Sequence, residues 1–132
     1  MAVTGLGDIA TRASGDGEWN LTARFWTGAV AVTVGDERTV IHLDDGHITS
    51  VEDGPAGTTG PFRPGPTDVT ISVPPDVWDR MLEDPPRPHH QDLQAAQHHH
   101  GLELGGDELT TFQYYPALRR LLELARAANR EG

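Results

Sequence analysis

The order of hydrophobic and polar residues predicts strands in the first half of the chain. Apolar and polar positions alternate in Glu18–Trp26, which is predicted to be a strand. Three further short strands joined by tight turns are predicted: the valine-rich Ala29–Val34, then Arg38–Leu43 and His47–Glu52. Asp45-Gly46 is the dipeptide that a two-residue type I′ hairpin favours, because both central residues of that turn need positive φ. We therefore expect an antiparallel meander.

The second half of the chain predicts one more strand and several helices. Residues Asp68–Val73 alternate cleanly, and the following Pro74-Pro75-Asp76 suits the first turn of a helix. Further helices are predicted in three places: within Asp8–Ala13, over His90–His100, and from Pro116 onward, where leucines form an apolar stripe.

Two segments between these elements have no helical period. Residues 53–67 hold four prolines and four glycines and predict a loop. Residues Leu102–Phe112, with the turn Gly105-Gly106-Asp107, predict a short hairpin or a bent strand.

Strands that precede helices without a βαβ alternation indicate an α+β fold. We expect a five- to six-stranded, mainly antiparallel sheet, with four helices at most packed on one face. The 132 residues are enough for one domain. It is predicted to span residues 1–132, with residues 1–17 as an N-terminal helix or arm.

Charge and composition narrow the class of partner. Twenty acidic residues against ten basic ones give a formal net charge of −10. Nucleic acids and anionic lipid surfaces attract clusters of Lys and Arg, so neither is expected as a partner. The longest apolar run, Gly28–Val34, is too short to span a bilayer, and no basic leader starts the chain. A cytoplasmic protein without membrane insertion is expected.

The absence of cysteine and lysine excludes several catalytic mechanisms. The chain has no Cys and no Lys, which excludes disulfides, thiolate chemistry and Schiff-base lysines. Its three serines stand outside any G-x-S-x-G motif. No cofactor is predicted.

Histidine is in surplus, with seven in the chain and five of them between His89 and His100. Consecutive residues on a helix project about 100° apart, so His98, His99 and His100 cannot all bind one ion. No His-x₃-His pair occurs, and no metal site is predicted.

An acid/base role stays open for two of the histidines. His42 on a predicted strand and His100 on a predicted helix are the alternative catalytic residues, with Tyr114 or Tyr115 as hydrogen-bond donors to a substrate carbonyl. Next to them in sequence, the pair Arg119-Arg120 offers cations that either contact a ligand carboxylate or balance the acidic surface.

Four stretches, taken in order, resemble the sterol carrier protein 2 (SCP2) domain family. They are RFWTGAVAVTVGD, LDDGHITSVEDGP, DVTISVPPDVWDRMLEDPPRP and HGLELGGDELTTF, followed by an amphipathic helix. The chain is similar in particular to the SCP2-like domains of actinobacteria that stand alone or are linked to a hydrolase. The long Pro/Gly loop and the triple histidine depart from the family pattern.

The resemblance implies a tunnel between sheet and helices that holds a fatty acyl chain, a sterol, a polyketide or another apolar small molecule. Its expected wall consists of Trp78, Met81, Leu82, Phe112, Tyr115, Leu118 and Leu122. The predicted function is non-catalytic binding or carriage of that ligand. Two alternatives stay open: a small cyclase- or isomerase-type enzyme that uses a histidine in the same pocket, and an interaction module for a partner enzyme. The oligomeric state is left undetermined.

Overall fold

The computed structural model describes residues 6, 8–55, 65–83 and 93–131 of the chain, and within them five strands form one sheet. The strands are β1 (Gly28–Val34), β2 (Glu37–Asp44), β3 (His47–Pro55), β4 (Val69–Val73) and β5 (Glu103–Gly106). They lie in the order β3-β2-β1-β4-β5. Three of the four pairings are antiparallel, whereas β1 and β4 run parallel in the centre. The expected α+β fold with a mainly antiparallel sheet is confirmed.

Six helices lie within the described residues, two more than the four expected. They are α1 (Ile9–Ser14), α2 (Gly17–Thr22), α3 (Pro75–Met81), α4 (Leu93–His99), α5 (Glu108–Gln113) and α6 (Tyr115–Glu131). The predicted helices near Asp8, Pro74 and Pro116 are confirmed, as is the part of the His90–His100 helix that is described. Most of the predicted loop at residues 53–67 lies outside the described residues.

The two faces of the sheet have different surroundings. Val30, Val32 and Val34 of β1 join the main apolar core, to which the helices contribute their buried residues. On the opposite face, Ala29 and Ala31 form a small separate cluster with Val40 of β2. The helices thus cover the valine face of the sheet, as predicted.

The predicted first strand, Glu18–Trp26, is wrong: its first half is helix α2. Trp19, Ala23 and Trp26 are almost fully buried at positions i, i+4 and i+7, which is helical spacing, whereas Leu21 and Phe25 are 64% and 69% exposed. The Asp16 carboxylate caps the helix by accepting a hydrogen bond from the Trp19 N–H at 2.8 Å.

The predicted hairpin over Leu102–Phe112 is also wrong in its second half. The strand β5 ends at Gly106, which has a φ of +89°, and the next residues form helix α5. Asp107 is the N-cap of this helix, so the chain changes from strand to helix within a single residue.

The β2–β3 turn confirms the type I′ prediction and also contacts a neighbouring segment. Asp45 and Gly46 have φ values of +51° and +83°. A Cβ atom on Gly46 would lie 2.8 Å from the carbonyl oxygen of Ala23, so the close approach requires glycine.

An ion pair connects α2 to α6 across 104 positions of sequence. The Arg120 Nε and Nη2 atoms donate to the two Asp16 carboxylate oxygens at 2.9 and 2.6 Å. Hydrogen bonding to Arg120 lowers the pKa of Asp16 below its ordinary value, against the opposing effect of burial, and the same pairing raises the pKa of Arg120. Bidentate geometry of this kind is the strong form of an ion pair.

We expect Asp16→Asn to lower the free energy of unfolding by about 1–2 kcal/mol at pH 7. Asparagine keeps the helix cap and loses the charge, so the difference reports the ion pair. Since the pKa of Asp16 is lowered in the folded state, the stabilisation is present above the unfolded-state pKa of about 4. It is lost as the pH falls through the lowered folded-state value. Urea unfolding from pH 7 to pH 2.5 measures this, and equal stability of the two proteins at pH 7 would contradict it.

Candidate functional site

A half-open cavity of about 530 Å³ lies between the edge strand β5 and the helices α4, α5 and α6. We call it the α5 cavity. Its lining is more apolar than polar and consists of Gln94, Gln97, Leu104, Gly105, Gly106, Glu108, Thr111, Phe112 and Tyr115. Its volume falls within the range of small-molecule sites, which is roughly 300–1,000 Å³.

Helix α5, which forms one wall, is held at its first turn by Asp107. The Asp107 carboxylate accepts hydrogen bonds from the backbone N–H of Thr110 at 2.9 Å and from the Thr110 hydroxyl. These bonds lower the pKa of Asp107 below its ordinary value, so the cap is ionised at neutral pH. The Thr111 hydroxyl donates to the Asp107 carbonyl at 2.9 Å. A six-residue helix depends on such caps, because it has few internal hydrogen bonds.

Two tyrosines fix the junction between α5 and α6. The Tyr114 ring stacks on the buried Trp26 ring, with the centroids 4.7 Å apart and the planes 5° from parallel. The Tyr115 hydroxyl accepts a hydrogen bond from the Gln94 N–H in the first turn of α4 at 3.0 Å. The back of the cavity is therefore anchored both to the core and to a second helix.

The outer side of α5 presents large apolar side chains to solvent. Phe112, at the cavity, is 84% exposed, and Leu109, one turn earlier and outside the lining, is 73% exposed. Burial of an aromatic ring is strongly favourable, so an exposed ring beside a cavity suits contact with an apolar partner.

The structure separates the seven residues of the expected tunnel wall into two groups. Phe112 and Tyr115 line the α5 cavity. The other five are buried in the main core, each at most 5% exposed: Trp78, Met81, Leu82, Leu118 and Leu122.

The two alternative catalytic histidines lie apart from the α5 cavity. His42 belongs to the sheet face opposite the core, since its neighbours Ile41 and Leu43 are both core residues. Its Nε2 atom is 3.6 Å from a carboxylate oxygen of Glu52. His100 is partly buried at the end of α4, and neither histidine lines the cavity.

Arg120 does not line the cavity, and its guanidinium is paired elsewhere. It is bound by Asp16, with Glu18 and Glu123 also within 4 Å. Arg119 is exposed and does not line the cavity. Neither arginine therefore stands where a carboxylate in the α5 cavity would lie.

Seven of the nine lining residues were not predicted from the sequence, and two of them, Glu108 and Thr111, belong to the segment predicted as a strand that is helix α5. Glu108 and Thr111 come to the cavity only when residues 108–113 are helical. The available signal was Asp107, a residue type that favours N-cap positions, directly after a glycine pair that ends the strand.

Two further features bear on the class of protein. Among the side chains that the structure describes, which exclude those of His98 and His99, no three His, Asp or Glu groups are placed so that they could hold a metal ion. In the same described part of the chain, no helix is both long and apolar enough to cross a bilayer.

We expect Asp107→Ala to loosen α5 while the sheet stays intact, because the substitution removes both bonds to Thr110. Hydrogen exchange at pH 7 should become severalfold faster for the amides of residues 110–113 and stay unchanged in β1 and β2. Thr110→Val is the matched control, since it removes the hydroxyl bond and keeps the backbone cap. Unchanged exchange in α5 of the Asp107→Ala protein would contradict the role of the cap.

Comparison with known proteins gives matches in structure alone. No protein-family model and no curated protein sequence matches the chain. The fold matches the crystal structure of sterol carrier protein 2, with a TM-score of 0.71 and 18% identity over 96% of this chain and 95% of that one.

Two other solved structures have the same fold. One is a conserved hypothetical protein from Thermus thermophilus for which a sterol carrier role has been suggested (TM-score 0.62, 17% identity, 95% of this chain and 83% of that one). The other is the ubiquinone synthesis protein UbiJ-SCP2 (TM-score 0.52, 17% identity, 90% of this chain and 88% of that one). The resemblance seen in the sequence is thus confirmed at the level of architecture, and the chain has the SCP2 fold.

Proposed function

We propose that the chain binds an apolar small molecule non-covalently in the α5 cavity and carries it without chemical change. The observation that supports this most directly is Phe112, an aromatic side chain left 84% exposed at a cavity that is otherwise well anchored. The solved structures of the same fold, among them a sterol carrier protein, support a lipid or similar ligand.

The free energy for binding would come from burial of apolar surface. Each Å² of apolar surface removed from water contributes about 25 cal/mol. Phe112 brings exposed surface of its own, and Tyr115 and Leu104 supply a wall that is already ordered. Because the wall is preorganised, the cost of ordering side chains on binding falls mainly on Phe112.

A longer ligand would reach beyond the α5 cavity into the core. In this proposal, Leu118 and Leu122, which follow Tyr115 along α6, form the deep wall together with the three α3-side residues Trp78, Met81 and Leu82. All five are buried in the same closely packed core, so a deep site requires their side chains to move apart.

The residues that line the α5 cavity do not favour the alternative function, a small enzyme that uses a histidine as acid or base. His42 and His100 lie elsewhere, and the titratable groups that line the site are Glu108 and the Tyr115 hydroxyl, which already accepts a bond from α4. A carrier needs neither an acid nor a base.

We expect Phe112→Ala to weaken binding of the neutral fluorescent probe N-phenyl-1-naphthylamine about tenfold, because the aromatic contact at the cavity is lost. Leu109→Ala is the matched control: it removes a similarly exposed apolar side chain from the same helix, outside the cavity, and should leave Kd within about twofold. Fluorescence titration of the delipidated protein measures both.

Native mass spectrometry of the same protein, purified without delipidation, should show one apolar molecule bound to each chain. Solvent extraction should then release that molecule for identification. Absence of a bound molecule, together with no binding of the naphthylamine probe, would overturn the carrier proposal. Equal weakening by Phe112→Ala and Leu109→Ala would place the binding site outside the α5 cavity.

A further inference from the structure

We infer that the α5 cavity selects uncharged ligands that carry an amide or hydroxyl group over fatty-acid carboxylates of the same chain length. This inference rests on the proposed function and names the chemical class of the ligand. It follows from the charges around the cavity and from the backbone groups at the edge of β5.

The charge of the cavity lining is negative. Among the nine described residues that line it, Glu108 has the one acidic side chain, and none of the nine is an arginine. A ligand carboxylate in the cavity would lose water and face Glu108, and the described lining offers it no compensating cation. An uncharged head group escapes both penalties.

Arg119 and Arg120, the described arginines that follow Tyr115 most closely in sequence, do not change this balance. The guanidinium of Arg120 is held by Asp16 in a bidentate pair, with Glu123 at 3.7 Å. Arg119 is exposed on the surface of α6, where solvent and salt screen its charge. A carboxylate bound in the cavity would therefore meet an acidic surface.

The edge of β5 supplies hydrogen-bonding groups that are neutral. The Asp107 N–H donates to the Asp68 carbonyl at 2.8 Å, which fixes the alternation of the antiparallel β4–β5 ladder. In that alternation Gly105 faces β4, and the N–H and C=O of Leu104 point to the free edge. No described residue pairs with this edge, and Leu104 itself lines the cavity.

A strand edge offers one donor and one acceptor side by side, which matches an amide and accommodates a hydroxyl. The exposed carboxamide side chains of Gln94 and Gln97 on the facing helix add further neutral donors and acceptors. Apolar walls from Phe112 and Tyr115 complete a site for a chain with an uncharged polar head.

The test compares ligands with the same ten-carbon chain on the full, delipidated protein at pH 7.5. Displacement of N-phenyl-1-naphthylamine should show decanamide and 1-decanol binding about tenfold more tightly than decanoate. N,N-dimethyldecanamide cannot donate a hydrogen bond, and we expect it to bind about threefold more weakly than decanamide.

Two variants assign the selectivity to the lining. Glu108→Gln should tighten decanoate binding about threefold relative to 1-decanol binding, with the effect reduced by added salt. Glu103→Gln is the matched control, because Glu103 is an exposed acidic residue of β5 that does not line the cavity. It should leave the ratio of the decanoate Kd to the 1-decanol Kd unchanged.

The outcomes separate the two proposals. Binding of decanoate as tight as that of 1-decanol would overturn the selectivity and leave the carrier function standing. The same conclusion would follow if Glu108→Gln did not change the ratio of the decanoate Kd to the 1-decanol Kd. Failure of all four ten-carbon ligands and of the naphthylamine probe to bind would overturn both.

Discussion

Burial of Trp26 is the constraint on which the arrangement of the other elements depends. Its ring is 1% exposed, and its indole N–H donates to the Thr67 carbonyl just before β4 at 2.9 Å. Its backbone carbonyl accepts from the N–H of Gly46 in the β2–β3 turn, and its ring stacks on Tyr114. One residue therefore positions the start of β4, the hairpin turn and the α5–α6 junction, which are far apart in sequence.

The α5 cavity is a consequence of that arrangement. Tyr114 is held inward by Trp26, so the next residue, Tyr115, begins α6 with its hydroxyl against the first turn of α4. Helix α5 is held at its first turn by the Asp107 cap, and among the described residues its Leu109 and Phe112 side chains stay exposed. A rigid back wall and a lightly held front wall form the geometry that allows a small molecule to enter while the core stays packed.

The sequence predicts the sheet better than the helices around the site. Val69, Ile71 and Val73 alternate because β4 has one face in the core, and the Asp45-Gly46 turn follows from local backbone preference. The parallel β1–β4 pairing could not be predicted, because strand direction depends on a long connection rather than on side-chain period. In the region of α2 the apolar residues fit both the two-residue period of a strand and the helical spacing of Trp19 and Trp26. Burial of these two tryptophans favours the helix.

The candidate site could be predicted from the sequence only in part, because its lining depends on where strands and helices begin and end. Phe112 and Tyr115 are large apolar residues in a segment that lies near the sheet edge under either a strand or a helix assignment. The backbone edge at Leu104 and the carboxylate of Glu108 depend on where β5 ends and α5 begins, which is set by a single residue, Asp107. Sequence periods locate element boundaries only to within a few residues.

The Asp16–Arg120 pair has a consequence for the order in which the chain folds. Its partners are 104 positions apart, and the central β1–β4 pairing also joins distant segments. Contacts of high sequence separation carry the loop-closure entropy of the whole intervening chain, so they form late and slow the folding rate. During synthesis on the ribosome, α2 would emerge long before Arg120, which binds its N-cap residue Asp16. Until the last helix has formed, α2 lacks this partner, and a Trp19 side chain left unburied would be exposed to chaperones and to other nascent chains.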